Sequence, residues 1–265
     1  MVCGRNTQHA PRDTSSEKER IPLWRDDLRG IFYIALKDMR AYYLKPPNVS
    51  WGMLFPAALI LAFAIRTPGD LRALAPGLVA MTALFSATSM EAIVITFERR
   101  IGALERLLLA PLTLPAVLGG KVVGGVLFGL LISGLVLVGV TAGFGLAAWR
   151  LGAALLVLLL SMTAFSTLGA FVSVAVEEVF EAQTLANFFR FPMIFLCGVF
   201  VPLADLPPAL QVLARLLPLT YSVEALRATL LGTVSAQTVL DLGALAGFTV
   251  LLFILATLIL QRRLD

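Results

Sequence analysis

Residues Thr96–Lys121 read TFERRIGALERLLLAPLTLPAVLGGK. They lie between two long apolar runs and carry Glu98, Arg99, Arg100, Glu105 and Arg106, in a chain where only 14% of residues are charged. Charges at this density do not belong in hydrocarbon, so the stretch reads as a loop at a membrane surface. Ile101, Leu104, Leu107, Leu108 and Leu109 are interleaved with the charges. Their three- and four-residue steps place them on one face of a short helix. Pro111 and Pro115 are expected to end that helix, and Lys121 to sit just inside the next apolar run. A short helix with an apolar face, held between two spans, has to dock: either on lipid headgroups or on a soluble partner.

Outward from this loop, six apolar runs can be read: Val49–Ile65, Ala73–Phe97, Leu114–Ala142, Leu151–Val176, Leu185–Leu203 and Leu242–Leu260. A crossing helix needs about 17–25 apolar residues, so the expectation is an all-α polytopic membrane protein with six transmembrane helices. The 265-residue chain is 58% hydrophobic with a mean hydropathy of +0.89, against an ordinary apolar content of about 45–50%. That length allows one membrane domain and no large soluble one. Residues 1–21 form a polar tail of mixed charge, expected to be disordered and cytoplasmic. Residues 22–45 are expected to form an amphipathic interfacial helix. Trp24, Leu28, Ile31, Phe32, Ala35, Met39 and Tyr42 make its apolar stripe, and Asp26, Arg29, Tyr33, Lys37 and Arg40 face away. Pro22 fits its start and Pro46-Pro47 its end. Residues 46–265 then hold the six-helix domain.

Lysine and arginine set the orientation. With the N-terminus inside, sixteen fall on the cytoplasmic side, in 5–45, 99–121, at Arg190 and at Arg262-Arg263. Only five, Arg66, Arg72, Arg150, Arg215 and Arg227, fall outside. This bias predicts cytoplasmic termini and a cytoplasmic position for the 96–121 loop. It also accounts for the net charge of +4, since no folded soluble domain offers a basic face to nucleic acid.

The chemistry visible in the sequence is sparse. His9 is the single histidine, and the two cysteines are Cys3, in the tail, and Cys197, in an apolar run. These make neither a disulfide framework nor a histidine-based metal or catalytic site. Gly119-Gly120-Lys121-Val122 lacks the first glycine and the final hydroxyl of a phosphate-cradling loop. No nucleophile–base motif of an intramembrane enzyme occurs. Glu91 is the most embedded ionisable residue, about two turns from Glu98 in the second run. Lys121 and Arg190 are its candidate partners. A secondary transporter driven by an ion gradient would need coupling-ion ligands at mid-membrane depth, and Glu91 alone supplies little toward one. Glu177, Glu178 and Glu181 make an acidic turn between the fourth and fifth runs, with Arg99, Arg100, Arg190 or a soluble partner subunit as candidate partners.

Two stretches carry a resemblance. Glu98-Arg99-Arg100-x-Gly102-x-Leu104-Glu105-x-Leu107-Leu108-x-x-Pro111, followed by Gly120-Lys121, resembles the loop after the second span in ABC-2 type transporter permeases. These are the membrane subunits of ATP-binding-cassette exporters, among them drug, polysaccharide and nodulation-factor export permeases with an ABCG-like transmembrane fold. Ala103 stands where the family often has Thr. Residues 189–232, FRFPMIFLCGVFVPLADLPPALQVLARLLPLTYSVEALRATLLG, are similar to the family's later signature, with Cys197 in place of the usual Ser. The acidic turn with Gln183, leading into Asn187, also fits.

The resemblance implies that the helix at 22–45 lies on the cytoplasmic surface and contacts the ATPase. It implies a coupling helix between spans two and three, with Glu98, Arg99, Arg100, Gly102, Leu104, Glu105, Arg106 and Leu108 as ATPase-coupling residues. Short re-entrant helices between spans five and six are expected at Pro208–Leu217 and Thr220–Leu231, divided by Pro218. The implied partners are ABC ATPase subunits, a second permease copy or paralogue, and the lipid bilayer of the cytoplasmic membrane. ATP and magnesium belong on the ATPase, with no cofactor and no catalysis in this chain. Cargo is expected to be amphipathic, lipid-linked or drug-like. Glu91, Phe188, Phe195 and Cys197 are candidate pathway or intramembrane polar positions.

Overall fold

A computed structural model describes residues 24–45, six residues between 46 and 70 (54, 57, 58, 61, 62 and 65), 71–143, 148–232 and 234–264. Among these, every extended regular element is a helix. In chain order they are α1 (Trp24–Asp38), a π-helical segment (Met39–Tyr43), α2 (Leu71–Arg100), α3 (Ala103–Leu108), α4 (Leu114–Gly143), α5 (Ala148–Ala175), α6 (Val179–Leu196), a 3₁₀ turn (Leu203–Asp205), α7 (Pro208–Arg215), α8 (Pro218–Leu230) and α9 (Ala236–Leu264).

Four of these helices, α2, α4, α5 and α9, are long and apolar enough to cross a membrane, and their bounds lie within a few residues of the expected runs except at the start of α9. The run expected at Val49–Ile65 falls, apart from the six residues named, outside the described residues, as do the 1–21 tail and Pro22. The fifth run is displaced: a helix expected over Leu185–Leu203 runs instead over Val179–Leu196. Its start is drawn back by a reciprocal cap. Glu178 accepts from the backbone N–H of Glu181, and Glu181 Oε2 accepts from the N–H of Glu178 at 3.4 Å. Its end is fixed by Gly198, at φ +80°, where a side chain would be strained.

α2 and α5 form the centre. α2 packs on α5, α4, α6 and α8, and α5 on α2, α9, α4 and α8. α2 is largely buried and α9 largely exposed along its apolar length. Small residues allow the close approach. A side chain at Gly169 of α5 would meet the Thr88 carbonyl of α2 at 2.9 Å, and one at Gly77 of α2 would meet the Val199 carbonyl at 2.6 Å.

α7 and α8 form a hairpin, each opening with a proline in its first turn, where the missing N–H costs nothing. Pro218 therefore starts the second helix rather than dividing the two. Ser222 of α8 donates to Ser161 at the midpoint of α5 (2.7 Å), and Arg150 at the start of α5 donates to the Leu230 carbonyl (2.7 Å). The hairpin thus reaches half-way along α5, at the bundle end opposite α3. Arg215 grips Glu224 across it through two contacts of 3.0 and 3.3 Å.

The stripe expected on α1 is divided. Ala35 is buried and Ile31, Met39 and Tyr42 are half-buried, but Leu28 and Phe32 are exposed, and Ile34, outside the stripe, is buried. The face that packs on α4 is centred on Ile34, Ala35 and Asp38, because Gly120 and Gly124 of α4 leave room for that side. A Cβ at Gly120 would lie 2.8 Å from Ile34, and one at Gly124 would lie 3.2 Å from Tyr43.

A candidate coupling surface over buried charges

α2 stops at Arg100. Ile101 and Gly102 then turn the chain through backbone bonds to Phe97 and Arg99, and Gly102 holds the left-handed φ of +68° that a glycine accepts without strain. The six-residue α3 follows. Leu104 anchors it, buried against the bundle, while Glu105 and Arg106 point outward and Leu109 is 86% exposed. Pro111 lies in the loop after α3. Pro115 does not end this helix as expected, since it occupies the first turn of α4.

α3 stands as a ridge between two hollows. One, of about 350 Å³, is walled by Leu108, Glu105, Arg99, Leu260 and Arg263. The other, of about 440 Å³, is walled by Leu107, Arg106, Ile101, Tyr42 and Lys37, with Glu98 at its floor.

The eight residues expected to couple to an ATPase do not share one surface, and the first three are not on the short helix. Glu98, Arg99 and Arg100 form the last turn of α2. Glu98 is fully buried. Arg99 turns inward and donates to the Val176 carbonyl at 2.8 Å. Arg100, Glu105 and Arg106 are exposed, Gly102 makes the turn, Leu104 is core and Leu108 is half-buried. Ile101 and Leu109 add exposed apolar groups on either side of α3.

Below the ridge lies a cluster of four charges from three helices. Lys121 of α4, 1% exposed, donates to Asp38 Oδ2 of α1 at 2.8 Å and to Glu98 Oε2 of α2. Lys37 donates to Glu98 Oε1 at 2.6 Å. Its ammonium also lies 3.0 Å from Asp38 Oδ1, near enough for attraction but not aligned as a hydrogen bond. Burial alone would lower the Lys37 ammonium. The hydrogen bond to Glu98 and the charges of Asp38 and Glu98 outweigh it and hold the group above its ordinary value. Burial raises the Asp38 carboxyl, against the opposing charge of Lys121.

A second tie fixes the other end of α1. Asp27 accepts from the backbone N–H of Thr113 at 3.1 Å and from its hydroxyl at 3.0 Å, just before α4 begins. Lys37 thus belongs to the cluster rather than to a free polar face. Asp27, Asp38 and Tyr43 make contacts that sequence reasoning did not assign. The available signal was Lys121 itself, a cation flanked by glycines in an apolar run, which needs buried counter-charges.

Glu91 pairs with neither Lys121 nor Arg190. It is fully buried and accepts from the Tyr43 hydroxyl at 2.7 Å, while its second oxygen has no hydrogen-bond partner among the described residues. Arg190 donates to Thr88 Oγ1 (2.6 Å) and Asn187 Oδ1 (2.9 Å), with its guanidinium 5.3 Å from the Phe85 ring centre. In the acidic turn Glu177 lies 3.7 Å from Arg263, and Glu178 and Glu181 serve the α6 cap. Arg263 also donates to the Ala175 carbonyl at 2.8 Å, so α9 closes over the end of α5. On α6, Phe188 and Phe195 are 70% and 65% exposed and share a face with Phe191, whereas Cys197 is buried.

The ABC-2 type transporter family matches residues 30–231. The chain is 34% identical over 247 residues to Nodulation protein J of Sinorhizobium fredii, covering 92% of this chain and 93% of that protein. It is 29% identical over 250 residues to Nodulation protein J of Bradyrhizobium diazoefficiens, covering 91% and 92%. The Rhizobium leguminosarum bv. viciae protein of the same name is 33% identical over 194 residues, covering 72% and 74%. Four helices able to span a membrane, the loop at 96–121 and a family match across most of the chain agree: this is a multi-pass membrane protein of the ABC-2 type transporter family.

Proposed function

We propose that this permease is the membrane subunit of an ATP-binding-cassette exporter, driven by a separate ATPase subunit that docks on α3. The observation that carries the reading is the ridge itself. A six-residue helix is held rigidly at its base by Leu104 and presents Ile101, Glu105, Arg106 and Leu109 between two hollows. A helix resting on headgroups needs no such flanking hollows, whereas a docked protein can fill them.

In this reading α3 and the exposed residues of α1 face the cytoplasm, and both termini lie on that side of the inner membrane. The chain has six spans, with the first in 46–70 and the fifth in α6. A second permease, copy or paralogue, completes the pathway, and the exposed phenylalanine face of α6 borders it. Cargo is amphipathic, lipid-linked or drug-like. ATP and magnesium are bound by the ATPase, and this chain catalyses nothing.

The experiment is recovery of the ATPase with tagged permease variants at matched membrane levels. Glu105→Arg should reduce recovery roughly thirty-fold or more, as loss of a desolvated charge pair at an interface costs about 2–5 kcal/mol. Leu109→Ser should weaken it too, and Lys18→Glu should change nothing. Gly102→Trp is not a clean probe, since the left-handed turn would be strained whatever docks there. Full ATPase recovery with both α3 variants would remove α3 as the docking element.

A further inference from the structure

The cluster under α3 has a feature that packing does not require. Lys121, Asp38 and Glu98 are at most 1% exposed, and Lys37 reaches in from the rim. Two lysines and two carboxylates sum to zero. A buried ion cluster of this kind is weak as a source of stability, because desolvation offsets the attraction, but removing one member leaves an unpaired buried charge. Its geometric content is stronger. Each partner must hold position, so the cluster selects one arrangement of the helices that supply it.

Those helices are the ones around the ridge. Glu98 lies one turn before Gly102 and α3. Lys121 is two turns into α4, which follows the loop that leaves α3, and Asp38 and Lys37 end α1 just before a π-helical segment. Glu98 also floors the hollow between α1 and α3. The cluster therefore joins the element that enters α3 and the element that leaves it to α1.

We propose that the Lys37–Asp38–Glu98–Lys121 cluster is a positioning device for transport. Its charge balance fixes the end of α2 and the first turns of α4, the two elements between which α3 is held, relative to α1, so that α3 and α1 present one docking surface. The contacts of the cluster stand on the coordinates; their use in docking an ATPase rests on the function proposed above.

The test separates the two. In a background with Cys3 and Cys197 replaced by Ser, spin labels at Arg29 of α1 and Arg106 of α3 report the inter-helix distance of the permease alone in nanodiscs. The starting protein should give one narrow distance. Lys121→Gln, which leaves two buried carboxylates facing one lysine, should abolish it in favour of a broad distribution. Lys121→Gln with Asp38→Asn, which returns the cluster to neutrality as Glu98 with Lys37, should restore the narrow distance. A narrow distance in the single variant would overturn the proposal. So would a broad one in both, which would show that shape rather than charge balance sets the arrangement.

Unlabelled versions of the same variants are then used to recover the ATPase. Recovery should fall with the single variant and return with the double. Undiminished recovery with the single variant would overturn the positioning role in docking. No recovery even with wild type, alongside the expected distances, would sink the ATPase reading and leave the positioning of α3 against α1 standing.

Discussion

At the scale of single residues, the contact between Tyr43 and Glu91 shows what a membrane interior demands of a carboxyl group. Glu91 is fully buried, and among the described residues the Tyr43 hydroxyl at 2.7 Å is its side-chain donor. Tyr43→Phe removes that donor and leaves the carboxyl group unserved, a loss of about 1–3 kcal/mol. The expected result is a lower thermal unfolding temperature in detergent. Tyr43→Phe with Glu91→Leu should recover most of it, because both polar partners are then gone. Equal destabilisation in the two proteins would show that Glu91 is served by something other than Tyr43. The sequence marked Glu91 as embedded but could not name its partner. Tyr43 is 48 residues away and reaches it from a π-helical segment, an irregularity that periodicity does not announce. Glu98 was misread for a related reason. Dense charge means surface on average, yet one member of a dense group can turn inward when a lysine waits on the next helix.

At the scale of elements, the apolar runs were legible because hydrophobic length is a property of composition, and four helices lie close to where composition placed them. Faces were less legible. The stripe on α1 included Ala35 but not Ile34, and it did not reveal that Leu28 and Phe32 stay exposed, because the glycines of α4 admit only the side that carries Ile34 and Ala35. Glycine positions carry that information instead. Gly169→Ala would press a methyl group to 2.9 Å from a backbone carbonyl of α2, which cannot retreat as a side-chain tip could. It should cost about 1–3 kcal/mol as overpacking. Gly243→Ala on α9, with nothing within 4 Å, should instead gain up to about 0.5–1 kcal/mol through helix propensity. Thermal unfolding of the two variants side by side checks the sign of each, and the same sign for both would refute the packing argument.

At the scale of the whole molecule, the two ends of the bundle differ in what they expose. One end carries α3, Arg100 and the Glu177–Glu178 turn, and the other carries the α7–α8 hairpin with Arg150 and Arg215. In the proposed orientation the first faces the cytoplasm. Single cysteines at Asp70, Trp149 or Asp205 should therefore react with an impermeant reagent added to sealed cells, and cysteines at Arg100 or Glu178 should not. Labelling at Arg100 from outside would invert the arrangement and with it the place of the ATPase.

The ion cluster also has a history within each molecule. Its members are far apart in the chain, with Asp38 83 residues and Glu98 23 residues before Lys121. A ribosome makes the chain from its N-terminus, so both carboxylates exist before the lysine does. When α4 is threaded into the bilayer, its one buried ammonium arrives at a receptor already synthesised. The synthesis of α4 is thus the step that completes the cluster and joins it to α1.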